Sequence, residues 1–297
     1  MSVTVGIISP GDMGAGIGQR LVENGVRVVV ALDARSERTK ALAAEAGLED
    51  VGTTERLVGE ASHVLSVLVP SEATAAAERV ARALRATGAT PVYADCNAIA
   101  PSTTKRVGEI VGAAGARFVD AGIIGGPPRG KVTPRIYASG PHAAELAQLE
   151  QFGLKIPVIG DSVGQASGLK MCYAGMTKGL QALATELLVT AKVLGLEDEL
   201  RAEMSGSQAP LRHWFERSIP GMPPKAHRWV GEMEEIAKTY SDAGMTDKIL
   251  LGAADMYRWI ATTPLGHETP ESRDAERSLD EVIAALADTL PPTAANR

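Results

Sequence analysis

The residues best suited to chemistry near the start of the chain form a glycine-rich turn, GIISPGDMGAG, over residues 6–16. The spacing is that of a Gly-x-Gly-x-x-Gly dinucleotide-binding turn, except that Ser9 stands at the first glycine and Pro10 follows it. A strand, a tight turn and a helix start form an anion site, because the first helical N–H groups lack partners and the helix dipole favours negative charge. Gly11 and Gly14 can still provide close approach to a pyrophosphate and close helix–strand packing.

The serine in this turn has to take the place of the first glycine. We expect Ser9 to have a negative φ, the condition under which serine fits there, while Pro10 fixes its own φ near −65° and lacks an N–H. The pyrophosphate is then expected to bind the N–H groups of Gly11, Asp12 and Met13. The pattern alone also allows a glycine-rich turn without a ligand.

The end of the second apolar run, ALDARSERT, carries residues that could select the cofactor. Asp33 lies where an acid can bind the adenosine 2′-hydroxyl of NAD, whereas Arg35, Ser36 and Arg38 together resemble a clamp for the 2′-phosphate of NADP. Two arginines and a hydroxyl within four residues favour NADP, with NAD as the alternative. A solvated turn and helix start is the third interpretation.

The elements that position these residues alternate between short β-branched runs and alanine-rich helical stretches, which indicates a parallel sheet covered by helices. We predict an α/β Rossmann domain with a mostly parallel, doubly wound sheet over residues 1–163. A long apolar helix over 166–195 and further helical segments around 197–217, 224–242, 245–262 and 271–288 predict an all-α domain over 164–290. Residues 291–297 are predicted to be a disordered tail. The strand runs are 3–8, 26–32, 64–69, 92–95, 117–119, 135–139 and 156–161.

Composition limits the possible partners and the compartment. A formal net charge of −6 provides no basic footprint for nucleic acid or an anionic membrane. Cys96 and Cys172 are far apart in the sequence and form neither a CxxC motif nor a metal-type spacing, so we expect no structural metal and a reducing compartment. The first residues lack a secretory pattern and no apolar stretch is long enough to span a membrane, so a cytoplasmic location is expected.

The chain contains, in this order, the motifs GDMG at 11–14, RS at 35–36, VLVP at 67–70, Asp95, Asn97 and Pro101, VDAGIIGGP at 119–127 and GLK at 168–170. Motifs in this order resemble those of the β-hydroxyacid dehydrogenases. This family includes 3-hydroxyisobutyrate dehydrogenase, tartronate semialdehyde reductase and, more distantly, 6-phosphogluconate dehydrogenase and the imine reductases. The similarity covers roughly residues 3–195, and the remainder resembles a poorly characterised branch of phosphogluconate-dehydrogenase-like proteins.

The resemblance implies roles for four of these residues. Val69 and Pro70 would border the nicotinamide ribose, Asn97 would lie beside the nicotinamide and the substrate, and Lys170 would be the catalytic lysine. The chemistry agrees, because hydride transfer from an alcohol carbon needs a group that takes the hydroxyl proton, and the reverse reaction needs a donor to the carbonyl oxygen. Lys178 lies about 12 Å farther along the same helix, too far to replace Lys170.

The substrate side departs from the family pattern. Ile124 replaces the serine before Gly125 and Gly126, Asn97 and Ala98 replace a Ser-Thr pair, and Ala174 replaces an asparagine. Because three small polar anchors are missing, we expect a larger or more apolar substrate. The substrate-binding candidates are Ile124, Gly125, Gly126, Tyr173, Ala174 and His227, with Arg129 and Lys131 as possible anion anchors.

These residues together predict an NADP-preferring oxidoreductase that acts on a β-hydroxy acid or a related hydroxy or keto compound with an apolar or aryl group. Lys170 is the predicted general acid/base, and the partners expected are a small-molecule substrate and a second copy of the chain bound through the helical domain. An imine reductase and a non-catalytic NADP-binding sensor are the alternatives. Lys170 favours carbonyl and alcohol chemistry, because imine reductases typically replace this lysine.

Overall fold

The computed structural model describes residues 3–33, 35–128, 130, 132–269 and 272–291. Its contacts divide the chain into two compact units, residues 1–172 and 173–297, which we call the sheet unit and the helical unit. The sequence predicts a boundary at residue 163, whereas this division falls later, within the longest helix. The candidate anchors Arg129 and Lys131 and nearly all of the predicted tail lie outside the described residues.

The sheet unit is built on eight strands in the order β3-β2-β1-β4-β5-β6-β7-β8. All neighbouring strands are parallel except β6 and β7, which pair antiparallel. Valine, isoleucine and alanine dominate the central strands because both faces of the sheet are covered. The strands are β1 (Thr4–Ile8), β2 (Arg27–Val30), β3 (Glu49–Asp50), β4 (His63–Ser66), β5 (Val92–Asp95), β6 (Arg117–Ile124), β7 (Arg135–Ser139) and β8 (Val158–Gly160).

Helices cover the two faces of this sheet and enclose two separate apolar cores. One core contains Ile7, Ile17 and Leu21, and the other contains Val29 and Val80. The doubly wound Rossmann arrangement predicted from the alternating pattern is therefore confirmed. The helices are α1 (Asp12–Glu23), α2 (Glu37–Glu45), α3 (Thr54–Glu60), α4 (Ala73–Thr87), α5 (Pro101–Gly112) and α6 (Ala143–Ala147).

The longest helix, α7 (Gln165–Val193), begins in the sheet unit and continues into the helical unit, whose described elements are all helical. The segment predicted as one helix over 197–217 forms two, because the chain breaks at Gln208 and the next helix begins at Ala209 with Pro210 in its first turn. No helix among the described residues has the length and apolar character to cross a bilayer. The remaining helices are α8 (Glu197–Ser207), α9 (Ala209–Ser218), α10 (Ala226–Asp242), α11 (Lys248–Ala261) and α12 (Leu279–Ala287).

A row of buried polar side chains crosses the sheet near the carboxyl ends of its central strands. Strand register pairs Ser66 with Asp95, Asp95 with Asp120, and Asp120 with Ser139. All four residues are at most 1% exposed. Polar groups buried to this degree are bonded to one another or to nearby backbone. The row therefore places four buried polar side chains side by side across β4, β5, β6 and β7.

Candidate functional site

Five segments singled out by the sequence lie at one edge of the sheet. Strands β1, β2, β4, β5 and β6 run parallel, so their carboxyl ends share that edge. The glycine-rich turn follows β1, residues 33–38 follow β2, Val69 and Pro70 follow β4, Asn97 follows β5, and Ile124 ends β6. Ligands of open α/β sheets bind at this edge.

The glycine-rich turn has an unexpected backbone. Ser9 has φ of +64°, so the expectation of a negative φ is wrong: the serine adopts the left-handed conformation that glycine usually supplies. The amide of Gly11 donates a hydrogen bond to the carbonyl oxygen of Ser9 at 2.9 Å, which closes a three-residue turn around Pro10. This bond occupies the Gly11 N–H that we expected to bind the pyrophosphate. The first-turn amides of Asp12 and Met13 are the ones that helix geometry leaves for an anion.

Gly11 and Gly14 occupy different environments in this turn. A β-carbon on Gly11 would meet nothing within 4 Å, so the backbone is open to close approach by a ligand. A β-carbon on Gly14 would lie 3.0 Å from the Ser9 carbonyl oxygen and 3.2 Å from the Ile7 side chain. Gly14 therefore allows α1 to pack against β1, and the residues present fit a bound pyrophosphate.

The predicted 2′-phosphate clamp after β2 is not assembled as one group. The Ser36 hydroxyl caps α2 by accepting a hydrogen bond from the amide of Thr39. The Arg38 guanidinium forms an ion pair with Asp12 at 2.8 Å, at the first residue of α1. Asp33 is exposed beside them. Ser36 and Arg38 thus have local partners that the sequence spacing does not reveal.

Arg35 points to a different neighbour. It lines a small cavity with Ser9, Ala31, Thr54 and Arg79, and the last of these belongs to α4. Partial burial, followed by the nearby charge of Arg79, lowers the pKa of Arg35, while Glu72 acts weakly in the opposite direction. Two guanidinium groups therefore lie near each other where the ends of β1 and β2 meet α4. An anion bound between them would relieve their repulsion.

Asn97 is buried and fully engaged by its neighbours. Its side-chain amide donates to Asp95 Oδ2 at 3.0 Å and to Ser66 Oγ at 3.1 Å, and its carbonyl accepts from the Leu68 amide. These bonds brace the end of β4 against the end of β5. Val69, exposed in the turn after β4, directly follows Leu68, whose amide is bound in this network. A direct role for Asn97 beside the nicotinamide stays a prediction.

The carboxyl group of Asp95 lies beneath this network. Burial raises its pKa to about 7, the charge of Asp120 acts in the same direction, and the two hydrogen bonds from Asn97 oppose the shift. The amide of Asn97 donates to Asp95 Oδ1 at 3.0 Å. Asp95 therefore titrates near neutral pH inside the sheet.

Asp120 holds the start of α7 to the sheet, a role that sequence reasoning missed. Its carboxylate accepts hydrogen bonds from the amides of Gly164, Ala166 and Ser167 at 2.8–3.2 Å. The Ser139 and Ser167 hydroxyls also donate to it. Burial raises the pKa of Asp120, and these donors oppose that shift. A buried aspartate in VDAG followed some 45 residues later by a helix start was the available signal.

Lys170 lies on the second turn of this anchored helix and faces β6. Its Nζ donates a hydrogen bond to the main-chain carbonyl oxygen of Ile123 at 2.5 Å. The helix approaches the strand closely because Gly122 has no side chain: a β-carbon there would stand 2.7 Å from the Ala166 carbonyl oxygen and 3.0 Å from Lys170 Cβ. Asp120, Gly122 and the Ile123 carbonyl together determine the position of the lysine.

The segment after β6 is fixed near α1. Ile124 is buried and lies on the same face of β6 as Gly122, as the two-residue period of a strand requires. Gly125 has φ of +126°, and a β-carbon on Gly126 would meet nothing within 4 Å. Arg20 of α1 donates hydrogen bonds to residues later in this segment. The structure thus brings Ile124, Gly125 and Gly126 to the edge that carries Lys170.

The other predicted substrate residues belong to the helical unit. Tyr173 is exposed, Ala174 is buried and His227 is exposed near the start of α10. Cys96 is buried and Cys172 is exposed, and both are free thiols. Within the described residues, no group of three or more histidine, cysteine or acidic side chains is placed to hold a metal ion.

Two family models match the chain. Residues 4–160 match the NAD binding domain of 6-phosphogluconate dehydrogenase, and residues 191–260 match a domain of unknown function. Lys170 lies between the two matched segments. The first match covers more than half of the chain and contains the glycine-rich turn, Asn97 and Asp120.

Two known proteins are similar to this chain in sequence. An uncharacterized 28.5 kDa protein of Methanothermus fervidus is 33% identical over 196 residues, 66% of this chain and 74% of the relative. The mitochondrial 3-hydroxyisobutyrate dehydrogenase of Drosophila melanogaster is 27% identical over 229 residues, 75% of this chain and 69% of that protein.

Among solved structures, a conserved protein of unknown function with structural similarity to 3-hydroxyacid dehydrogenases has a TM-score of 0.67 and 29% identity, covering 90% of this chain and all of that one. An imine reductase of Myxococcus stipitatus shares the fold, with a TM-score of 0.55 and 17% identity over 88% of this chain and 93% of that one. By its matched NAD-binding domain and its relatives, the chain belongs to the β-hydroxyacid dehydrogenase superfamily, with a helical domain of a divergent type.

Proposed function

We propose that this chain is an NADP-preferring oxidoreductase that transfers a hydride between the nicotinamide and a β-hydroxy acid or related hydroxy or keto compound. The observation that carries the proposal is the placement of Lys170, which the carbonyl of Ile123 and the Asp120 cap hold at the edge that carries the glycine-rich turn. Family membership supports the general class of NAD(P)-dependent oxidoreductase. The cofactor preference, the substrate and the role of the lysine are the proposed parts.

The chain's own residues supply proton transfer and orientation. When bound, the nicotinamide accepts or gives up the hydride. Lys170 takes the hydroxyl proton during oxidation and returns one to the carbonyl oxygen during reduction. An ammonium group has three donors, and the bond to Ile123 fixes the direction of one of them. Asn97 acts as a positioning residue that keeps the turn after β4 in place.

The proposed preference for NADP rests on Arg35 and its neighbour Arg79. Arg35 lies at the end of β2, where the adenosine ribose is bound in Rossmann folds. Ser36 and Arg38 already have partners within the chain, so we assign the main 2′-phosphate contact to Arg35. The exposed pair of Arg38 with Asp12 is weak enough to rearrange when a phosphate arrives.

The proposed substrate carries an apolar or aryl group. Ile124 stands where the family has a serine, and Ala174 where it has an asparagine, so two hydrogen-bonding anchors are replaced by apolar side chains. Each lost hydrogen bond to a polar substrate would cost about 1–3 kcal/mol. A compact, highly hydroxylated acid is therefore disfavoured compared with a substrate that has an apolar portion.

The test follows NADPH oxidation and NADP reduction over alkyl and aryl β-hydroxy acids, keto acids and cyclic imines. We expect turnover of hydroxy or keto compounds, and a loss of 10²–10⁴-fold in kcat for Lys170→Ala with NADPH affinity unchanged. Lys155→Ala, which removes an exposed lysine of the same unit, is the matched control. Full activity in Lys170→Ala contradicts the mechanism, turnover of imines alone favours the imine reductase, and binding without turnover favours the sensor.

We also propose that a second copy of the chain covers the apolar surface around the end of α7. Leu183, Leu194 and Leu196 are 56%, 64% and 49% exposed, and together they border one groove of the helical unit. Exposed apolar patches of this kind mark interfaces. Light scattering should give a dimer for the wild type and for Val158→Glu, and a monomer for Leu183→Glu.

A further inference from the structure

Four cationic side chains of the helical unit lie near one another at the start of α10. Lys225 directly precedes this helix, Arg228 lies in its first turn, Arg273 comes from the segment before α12, and Lys178 comes from α7. We propose that Lys225, Arg228 and Arg273 form a binding site for a phosphate-type oxyanion. The proposal concerns the helical unit and goes beyond the hydride transfer proposed above.

The geometry of the site is centred on Gly221. The point where a β-carbon would stand on this glycine is 4.0 Å from Lys225 Nζ and 4.0 Å from Arg273 Cζ, so two cationic groups converge on one small residue. Pro223 and Pro224 are buried between Gly221 and Lys225, which fixes the path of the backbone there. The lysine is therefore placed by a rigid segment.

Arg273 is also held in place by its own segment. Its amide donates a hydrogen bond to the Thr269 carbonyl oxygen at 3.0 Å. Arg277, four residues later, forms a bidentate ion pair with Glu268, with nitrogen–oxygen distances of 2.7 and 2.9 Å. The Glu268 carboxylate is thus already used by Arg277. The guanidinium of Arg273 lies beside the Gly221 bend, and no carboxylate of the described residues 272–278 pairs with it.

The charges in this cluster are not balanced within the described residues. Lys178 is paired with Glu232 and lies over the ring of Trp229 at 5.1 Å. The side chains of Lys225, Arg228 and Arg273 form no hydrogen bond or ion pair in the part of the chain that the structure describes. Burial lowers the pKa of Lys225, and the charges of Arg228, Arg273 and Lys178 lower it further.

The helix adds to this positive potential. The first turn of α10 contains no acidic residue, although the partial positive charge at a helix N-terminus favours acidic side chains. A fold that brings three like charges to a helix start loses stability unless an anion binds there. Guanidinium and ammonium groups that converge in this way suit a phosphate, because the guanidinium offers paired donors and the lysine a compact charge.

The experiment titrates inorganic phosphate into the full chain by calorimetry and thermal unfolding, with sodium chloride matched for ionic strength. We expect a saturable phosphate effect in the wild type that Arg273→Gln and Lys225→Gln each weaken at least tenfold. Lys238→Gln, on the same helix and paired with Asp242, is the control and should bind as the wild type does. Equal effects of phosphate and chloride, or equal binding by Arg273→Gln and the wild type, overturn the proposal.

A second readout is the sign of the difference in unfolding temperature between Arg273→Gln and the wild type. It does not require tight binding. Without phosphate, Arg273→Gln should unfold at the same or a higher temperature than the wild type, because one repulsive charge is gone. At saturating phosphate the order should reverse. Destabilisation of Arg273→Gln by the same amount with and without phosphate would indicate a purely structural arginine and contradict the site.

A kinetic measurement identifies where the phosphate comes from, and only this step rests on the proposed oxidoreductase function. If the substrate carries the phosphate, Arg273→Gln raises KM at least tenfold for phosphorylated hydroxy acids and leaves KM unchanged for their unphosphorylated forms. If free phosphate is the ligand, added phosphate alters the turnover of phosphorylated and unphosphorylated hydroxy acids alike and competes with neither. The binding titration uses no turnover, so the failure of the site and the failure of the proposed function are distinguishable.

Discussion

Lys170 Nζ and the carbonyl oxygen of Ile123 are joined by a hydrogen bond of 2.5 Å, although the two residues are 47 positions apart in the sequence. The bond connects the second turn of α7 to the next-to-last residue of strand β6. Because the acceptor is main chain, the position of the lysine depends on the backbone of β6 and on the distance between the strand and the helix.

Gly122→Ala should separate the helix from the strand. The new β-carbon would stand 2.7 Å from the Ala166 carbonyl oxygen, so α7 must shift and the bond from Lys170 to Ile123 must lengthen. We expect kcat to fall at least tenfold while the affinity for NADPH stays constant, since a small misplacement of a reacting group is costly. Gly112→Ala, whose β-carbon would meet nothing within 4 Å, is the control. Unchanged kcat in Gly122→Ala would show that the close approach is not needed.

Asp120→Asn should loosen the start of α7. The carboxylate accepts hydrogen bonds through both oxygens, and an asparagine would turn an N–H₂ group towards one of the donors. We expect a loss of about 2 kcal/mol in the free energy of unfolding, measured with urea, and a lower kcat. Asp161→Asn, an exposed acid near the same bend, should leave both unchanged.

Ser9 provides a test of backbone strain. Because φ is +64°, glycine should fit this position better than alanine, and we expect Ser9→Gly to be more stable than Ser9→Ala by about 1 kcal/mol. Thermal unfolding of the two variants gives the difference without the need for a known substrate. If Ser9→Ala is as stable as Ser9→Gly, the left-handed conformation is wrong.

The buried carboxyl of Asp95 makes stability depend on pH. Its pKa of about 7 in the fold lies above that of an exposed aspartate, so its contribution is fully present at low pH and is lost as the pH rises through 7. Between pH 5 and 7 the slope approaches about 1.4 kcal/mol per pH unit. We expect Asp95→Asn to remove this slope in urea titrations. The lowered pKa of His63 acts in the opposite direction and the raised pKa of Asp120 acts in the same direction. Both groups are retained in the two proteins, so the difference between the two slopes reports the loss of Asp95.

Cofactor preference should depend on Arg35 more than on Arg38. Arg35 has no carboxylate partner among the described residues, whereas Arg38 is paired with Asp12. We expect Arg35→Ala to lower the ratio of kcat/KM for NADPH over NADH at least tenfold, because a charge-assisted contact to the phosphate is lost. Arg38→Ala should change the ratio less. Equal effects of the two substitutions would instead support the prediction that Arg35, Ser36 and Arg38 bind the 2′-phosphate together.

Much of the sheet unit could be predicted because its strands are short apolar runs between clear helical stretches. The predicted limits of β5 and β7 coincide with the observed ones. Strand β3, the acidic pair Glu49–Asp50, was missed because two exposed residues at an edge produce no apolar pattern. Helix α9 was merged with α8 because the break at Gln208 interrupts the helical period by a single residue.

The site was less predictable than the fold because its contacts join residues that are distant in the sequence. The order of the motifs indicates Lys170, whereas the VDAG motif gives no indication that Asp120 holds the start of α7. Ser36 and Arg38 were grouped with Arg35 because they are adjacent, yet their partners come from α1 and α2. The φ of Ser9 depends on the γ-turn around Pro10, which a glycine pattern does not describe.

The anchoring of Lys170 has an evolutionary consequence. Asp120, Gly122 and Ile123 precede the lysine and belong with it to the sheet unit. These anchors are therefore encoded before α8, and mutations in the later helices leave their sequence unchanged. A lineage can replace that half of the protein while inheriting the lysine together with these anchors. The match of residues 191–260 to a separate domain family is what such modular inheritance would leave behind.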